Sequence, residues 1–138
     1  DWQGLDWTKV EKYPGIVQGF KDLIALRKNV HGTSTGLLGE LLNLSQVDED
    51  NKIIAYHRWV AGGPKDDVMV VINFSKVSHE NYVISFPRNG KWLVRFNSTS
   101  DTYSQDFKND FIPDVFVEKG EGLLVIPPSS AIIFSQDE

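Results

Sequence analysis

The side chains able to do chemistry are few in kind and widely spaced. Histidine titrates nearest neutrality, which suits it to acid–base work and metal binding, and the chain has His31, His57 and His79. They fall in three different stretches, without the i, i+4 spacing that puts two ring nitrogens on one helical face. Each reads as a surface or structural histidine. Asp48-Glu49-Asp50-Asn51 clusters the oxygens that calcium prefers, but lacks the loop pattern and the terminal glutamate at the right distance. It reads as a solvated turn. Nineteen Asp and Glu residues include material for the carboxylate pair of glycoside chemistry, yet no spacing selects one. There is no Gly-x-Ser-x-Gly elbow and no phosphate-binding glycine loop. With no cysteine, disulfides, thiolate metal sites and thiol nucleophiles are excluded together. The sequence assigns no catalytic residue, no metal ligand and no cofactor.

The aromatic residues are the remaining lead. One face of a hexose is apolar and stacks on a flat ring, with hydrogen-bonding groups beside it. Trp59, Trp92, Tyr103 and Phe107 are the rings to weigh. Trp92 alternates with Val94 and Phe96, as a core residue on a strand does. Tyr103 and Phe107 lie in a long polar stretch over 97–120, where they either contact a partner or form a local mini-core. Trp59, Tyr103 and Phe107 are the candidate sugar contacts.

These residues must be positioned by short strands. Leu41–Val47, Lys52–Val60, Val68–Phe74, Tyr82–Phe86, Trp92–Phe96, Leu123–Ile126 and Ala131–Ser135 are apolar or alternating runs separated by Gly, Pro and acidic turns. Val68-Met69-Val70-Val71-Ile72 is apolar on both faces, which marks a central, doubly covered strand. Asn89-Gly90, the preferred type I′ pair, predicts a hairpin over 81–96. Its tip would be at 89–90, with Tyr82, Ile84, Phe86, Trp92, Val94 and Phe96 facing mainly inward. The whole reads as mainly β: an antiparallel, Greek-key type sandwich of seven to eight strands.

One N-terminal α-helix precedes it. Pro14 suits a first helical turn, Ile16, Phe20, Leu23, Ile24 and Arg27 keep helical rhythm with Val17 beside them, and Gly32 stops the helix. A sandwich of this size needs no helix to complete it, so the helix reads as the end of something else. Ile16, Phe20, Leu23 and Ile24 are expected to cover one side of the sandwich. Val17, Leu26 and the leading Trp2, Leu5 and Trp7 are expected to point elsewhere. Residues 1–13, which lack a period of their own, are expected to be loosely held or docked on a neighbouring copy.

The 138 residues suit one domain, 41% hydrophobic and 24% charged. A net charge of −5 with scattered Lys and Arg argues against nucleic acid and against anionic membranes as partners. No apolar run is long enough to span a bilayer. The absence of cysteine fits a cytoplasmic setting. The start at Asp1, with Met69 the one methionine, reads as a cut through a longer polypeptide.

At this point the residues resemble a known family. Phe20-Lys21-Asp22-Leu23-Ile24-Ala25-Leu26-Arg27-Lys28-Asn29 is similar to the last barrel helix of glycoside hydrolase family 13, the α-amylase superfamily. Ile53-Ile54-Ala55-Tyr56-His57-Arg58-Trp59 and Val70-Val71-Ile72-Asn73-Phe74-Ser75 resemble strands of the β-sandwich that follows it. Gly90-Lys91-Trp92, Phe96-Asn97-Ser98 and Tyr103 resemble the branching-enzyme version, and Pro127 to Ile133 resembles the closing strand. After Tyr103, Ser104-Gln105-Asp106-Phe107 stands where that version has a Gly-rich turn. The resemblance implies that 1–31 end a catalytic barrel and that 32–138 form its C-terminal all-β domain. The domain would be a non-catalytic accessory to an α-glucan-acting, glycogen-building transferase. Its partner would be the barrel of the same polypeptide, with α-glucan contact at Tyr103, Phe107 or Trp59. A stand-alone carbohydrate-binding module and an unrelated immunoglobulin-like interaction domain remain as alternatives.

Overall fold

The computed structural model describes residues 8–104, 106, 107 and 111–138. The leading Trp2, Leu5 and Trp7 lie outside the described residues. Two helices, α1 (Thr8–Lys12) and α2 (Pro14–Arg27), precede a 3-10 turn at Thr35–Leu38. Eight strands follow: β1 (Leu41–Asp48), β2 (Ile53–Trp59), β3 (Val68–Asn73), β4 (His79–Ser85), β5 (Gly90–Asn97), β6 (Val115–Val117), β7 (Glu121–Ile126) and β8 (Ser130–Ser135). The short helix α1 has no counterpart in the sequence reading, and neither does β6, which lies inside the stretch read as irregular.

The strands form an antiparallel sandwich. Six make one sheet in the order β1-β2-β3-β8-β5-β6, and β4 and β7 make the other. The space between the sheets holds the main core, including Ile53, Met69, Val71, Ile84, Trp92, Leu124, Ile132 and Phe134. Cross-strand register carries this face from β2 to β3 to β8: Ala55 opposes Val71, and Val71 opposes Ile132. The alternate residues Val68, Val70 and Ile133 point outward and are also buried, beneath Leu26 and Leu37. The doubly covered central strand expected over 68–72 is β3.

The expected 81–96 hairpin does not form. β4 pairs with β7, whereas β5 pairs with β8 and β6. Pro87-Arg88-Asn89 crosses from the small sheet to the large one. Gly90 has φ +107, but Asn89 is not among the residues with positive φ, and a type I′ turn needs both central residues there. Burial explains the choice. In a hairpin Phe86 and Trp92 would lie side by side on one sheet. Here they face each other across the core, with ring centroids 5.1 Å apart and planes at 56°. Ile84, Phe86, Trp92 and Phe96 are buried, while Tyr82 and Val94 pack partly buried against the core. A register shift between Val94 and Phe96 inserts one extra residue, as a bulge does. Phe96 therefore turns to the outer face, where it joins Leu26.

The helix also sits differently from its apolar rhythm. Ile16, Phe20, Leu23 and Ile24, expected against the sandwich, are exposed, Phe20 by 63%. Leu26, expected to point elsewhere, is only 5% exposed and lies on Val68, Val70 and Ile133. Small residues decide this. A Cβ at Gly15 would fall 2.3 Å from the Tyr103 carbonyl oxygen, and one at Gly19 would fall 3.4 Å from the Tyr103 ring. The helix seats on its Gly15–Gly19–Asp22–Leu26 face because only that face allows so close an approach.

Trp92 is fully buried, and its Nε1 donates to the Arg88 carbonyl at 3.0 Å. Trp92→Ala is expected to cost about 3–5 kcal/mol, the range of large aromatic truncations in cores. Urea unfolding measures it, and a loss under about 1 kcal/mol would mean that the ring does not hold the two sheets together.

Candidate functional site

Tyr103 follows β5 in a turn closed by its own N–H to the Ser100 carbonyl, 3.0 Å. Its ring stacks on Phe96, centroids 5.4 Å apart and planes at 23°. Its hydroxyl donates to Asp22 Oδ2 on α2 at 2.6 Å. Burial, reinforced by the Asp22 carboxylate, raises the phenol's pKa far above its usual value. Tyr103 therefore stays neutral and acts as a clamp between helix and sheet. Beside it, the start of α2 and the loop at 101–104 enclose a cleft of about 390 Å³. Lys12, Tyr13, Asp101, Thr102 and Ser104 line it, and Lys12 Nζ lies 5.3 Å from the Tyr13 ring centroid. An ammonium, a carboxylate, two hydroxyls and an exposed ring form a donor set able to grip a polyol.

The three candidate rings do not share a platform. Trp59, at the end of β2, stacks on His57 with centroids 4.3 Å apart and planes at 20°. His57 opposes Met69, a main-core residue, whereas Tyr56 opposes Val70 on the outer face. Trp59 keeps the parity of His57, so it and Tyr103 lie on opposite faces of the large sheet. Phe107 is exposed in the loop, its N–H donating to the Ser104 carbonyl at 3.1 Å.

A buried polar centre lies at the Trp59 end, and residue spacing did not reveal it. Asp67 is buried, with its Oδ1 2.6 Å from His57 Nε2. Its Oδ2 accepts from Arg88 Nη2 at 2.5 Å and from the Gly63 N–H at 2.7 Å. Arg88 Nε donates to Gln136 Oε1 at 2.8 Å, and Gln136 Nε2 donates to the Asn89 carbonyl at 3.0 Å. Neighbouring Asp66 accepts from the N–H groups of Val60, Ala61 and Gly62 at 2.7–2.8 Å. The Gly62-Gly63-Pro64 turn was legible as a turn; its partners come from β2, the 87–89 crossing and the residue after β8. His57 is held between the Asp67 carboxylate and the Trp59 ring. Burial pushes the Asp67 carboxyl up, but the Gly63 N–H, His57 and Arg88 outweigh it, and the net pKa is lowered. At the far end of the sheet, the Tyr82 hydroxyl donates to Asp48 at 2.5 Å. That bond and those from Asn51 bring Asp48 to about 2, while Tyr82 rises to about 12 through burial and its bond to Asp48. Among the described residues no group of three or more His, Asp and Glu is placed to hold a metal ion. Nor is any helix there long and apolar enough to cross a membrane.

Residues 44–137 match the model of the alpha amylase C-terminal all-beta domain. The chain belongs to the alpha-amylase C-terminal all-beta domain family. This all-β domain is 30% identical over 150 aligned positions to the 1,4-alpha-glucan branching enzyme GlgB of Oceanobacillus iheyensis, which covers 97% of this chain and 22% of the relative. It is 31% identical over 106 positions to the GlgB of Pseudomonas aeruginosa (72% and 14%). It is 27% identical over 105 positions to that of Roseobacter denitrificans (75% and 14%). Within α-amylase superfamily enzymes, the all-β domain is thus most like that of a branching enzyme, and it spans about a seventh to a fifth of these relatives. Its fold matches an alpha-amylase from H. orenii with a TM-score of 0.52 at 16% identity, covering 86% of this chain and 20% of that one. Tyr103 falls inside the matched segment, whereas Gly15, Gly19 and Asp22 fall before it. The Tyr103 clamp therefore joins the all-β domain to the helix ahead of it.

Asp67 and Asp48 have folded-state pKa values below their unfolded ones. Such groups stabilise the fold fully above the ordinary carboxylate range and lose that contribution as pH falls through the folded value. The all-β domain is expected to lose stability steadily from about pH 5 downward. Asp67→Asn is expected to lower stability at pH 7 by about 1–3 kcal/mol, since it unpairs buried donors, and to flatten the acid limb. Denaturant midpoints of both proteins from pH 7 to pH 3 measure this; an unchanged slope would remove Asp67 from the acid response.

Proposed function

We propose that this chain is the non-catalytic C-terminal accessory domain of a longer α-glucan-acting enzyme, a cytoplasmic 1,4-alpha-glucan branching enzyme of glycogen biosynthesis. Residues 1–31 would be the end of its catalytic barrel and 32–138 the accessory sandwich. The parent would cleave an α-1,4 glucan through a covalent glucosyl-enzyme and transfer the chain to a 6-hydroxyl, with the reacting carboxylates supplied by the barrel. The all-β domain packs on that barrel and stabilises it.

The observation that carries this reading is the two-sidedness of α2. Its small-residue face is seated on the sandwich through Gly15, Gly19, Asp22 and Leu26. Its bulky face, Ile16, Phe20, Leu23 and Ile24, is left exposed. Burying one such side chain contributes roughly 1.5–3 kcal/mol, so a helix exposing four in a row is built for a second partner. The cleft beside Tyr103 adds a second role for the domain: contact with the α-glucan itself, through the Tyr13 ring and the polar groups around it.

In the full-length parent, Phe20→Glu is expected to lower the unfolding temperature of the catalytic domain, while Phe116→Glu, on an exposed strand position of β6, leaves it unchanged. Equal effects from both substitutions would sink the packing role. This chain by itself is expected to leave the iodine staining of amylose unchanged and to release no reducing ends. Activity abolished by a carboxylate substitution within residues 1–138 would overturn the accessory reading.

A further inference from the structure

The small sheet has an outward face of its own, on the side of the sandwich away from α2. Leu124 and Ile126 of β7 point into the main core, so Val125 between them faces outward. The chain leaves β7 through Pro127-Pro128, beside the start of β4 at His79. β4 is irregular there, with a register shift between His79 and Tyr82 and with Asn81 at φ 55. Irregularities of this kind re-aim side chains at a strand end. Here they adjoin a hollow of about 330 Å³ that Glu80, Val125 and Pro128 share with Phe111.

The lining combines two kinds of surface. Phe111 is 83% exposed, yet the next residue, Ile112, is buried in the main core and ties that point of the chain down. The Phe111 ring, Val125 and the proline carbons are apolar. Ser78 and Glu80, both exposed, add a hydroxyl and a carboxylate to the lining. His79 adds an imidazole whose Nε2 is buried and has no hydrogen-bond partner among the described residues. Buried polar atoms are rarely left in that state. Among the described residues no Lys or Arg lines the hollow, so it lacks the cation that would hold a phosphate or another anion.

We propose that this hollow binds a glucose unit of an α-1,4-glucan chain, as a second sugar contact on the side of the sandwich away from the Tyr13 cleft. The proposal rests on the accessory-domain reading and adds a site on a surface that α2 and its exposed flank do not face. A neutral hexose offers an apolar face and a ring of hydroxyls. Phe111 and the proline carbons meet the first, and Glu80 and Ser78 meet the second. A sugar hydroxyl is also the partner that His79 Nε2 lacks. A polymer held here stays near the reacting carboxylates of the parent between turnovers, because a second contact acts through effective concentration.

Hydroxyl-radical footprinting of the full-length parent, with and without maltoheptaose, tests this, with Phe116 on β6 as the reference. Phe111 is expected to be oxidised freely without sugar and several-fold less with it, while Phe116 does not respond. Glu80→Gln is expected to raise the maltoheptaose concentration at half-protection roughly tenfold, the loss of one hydrogen bond to a charged group. Phe111 already protected without sugar would mean that protein covers the hollow, and would overturn the proposal. So would a Phe111 signal that maltoheptaose leaves unchanged, a half-protection point that Glu80→Gln does not move, or equal protection by the β-linked cellohexaose. A parent that branches amylose with no sugar-dependent change at Phe111 keeps the accessory reading and loses this site. A parent inactive on amylose overturns both.

Discussion

Strands β3 and β8 are apolar on both sides, and such a pair has to be covered on both sides. Val71 and Ile132 face the small sheet, while Val70 and Ile133 face the helix side. Covering the first side requires β4 and β7 to fold over and close the main core. Covering the second requires α2 and the 3-10 turn, whose Leu26 and Leu37 lie on Val68, Val70 and Ile133. The helix is thus part of the sandwich's packing. Its glycines let it approach closely, and its bulky residues Ile16, Phe20, Leu23 and Ile24 are left exposed.

Polar groups fix the geometry at the two ends of this apolar middle. At one end Asp66 and Asp67 collect four backbone N–H groups, a histidine and an arginine. Together with the Arg88–Gln136 bond, these contacts lock the 60–67 turn, the 87–89 crossing and the residue after β8 together. At the other end Asn73, buried at the close of β3, donates to the carbonyls of Val77 and Pro127 at 2.8 and 3.0 Å. Asn73 Oδ1 also accepts from the Ser75 N–H at 2.9 Å, which fixes the turn that leaves β3.

Much of the architecture was legible in the chain. β2, β3, β7 and β8 fall where apolar runs and turn residues put them, because strand periodicity is a local property. The family resemblance was legible too, since an ordered set of short motifs needs no three-dimensional knowledge. The hairpin over 81–96 was misread because Asn-Gly is a local signal, whereas the pairing of β4 with β7 and β5 with β8 depends on strands more than thirty residues away. The helix was misread for a related reason: amphipathic rhythm locates an apolar face but not what it meets. Nothing in the rhythm says that Tyr103, far along the chain, will occupy the place beside Gly15 and Gly19.

The candidate site divides in the same way. Tyr103, Phe107 and Trp59 could be picked from the sequence because ring type and loop length are visible there. That Tyr103 is anchored to Asp22 and Phe96, that Trp59 lies on the opposite sheet face, and that Tyr13 brings a ring to the cleft depends on which strands become neighbours. The sequence by itself determined the all-β class, the doubly buried central strand and the absence of a recognisable catalytic motif, since these follow from residue type and short-range period. The tertiary structure alone decided the sheet pairing, the seated face of α2 and the Asp67 centre. Those are contacts between distant segments, chosen by the joint burial of apolar surface and the pairing of buried polar groups.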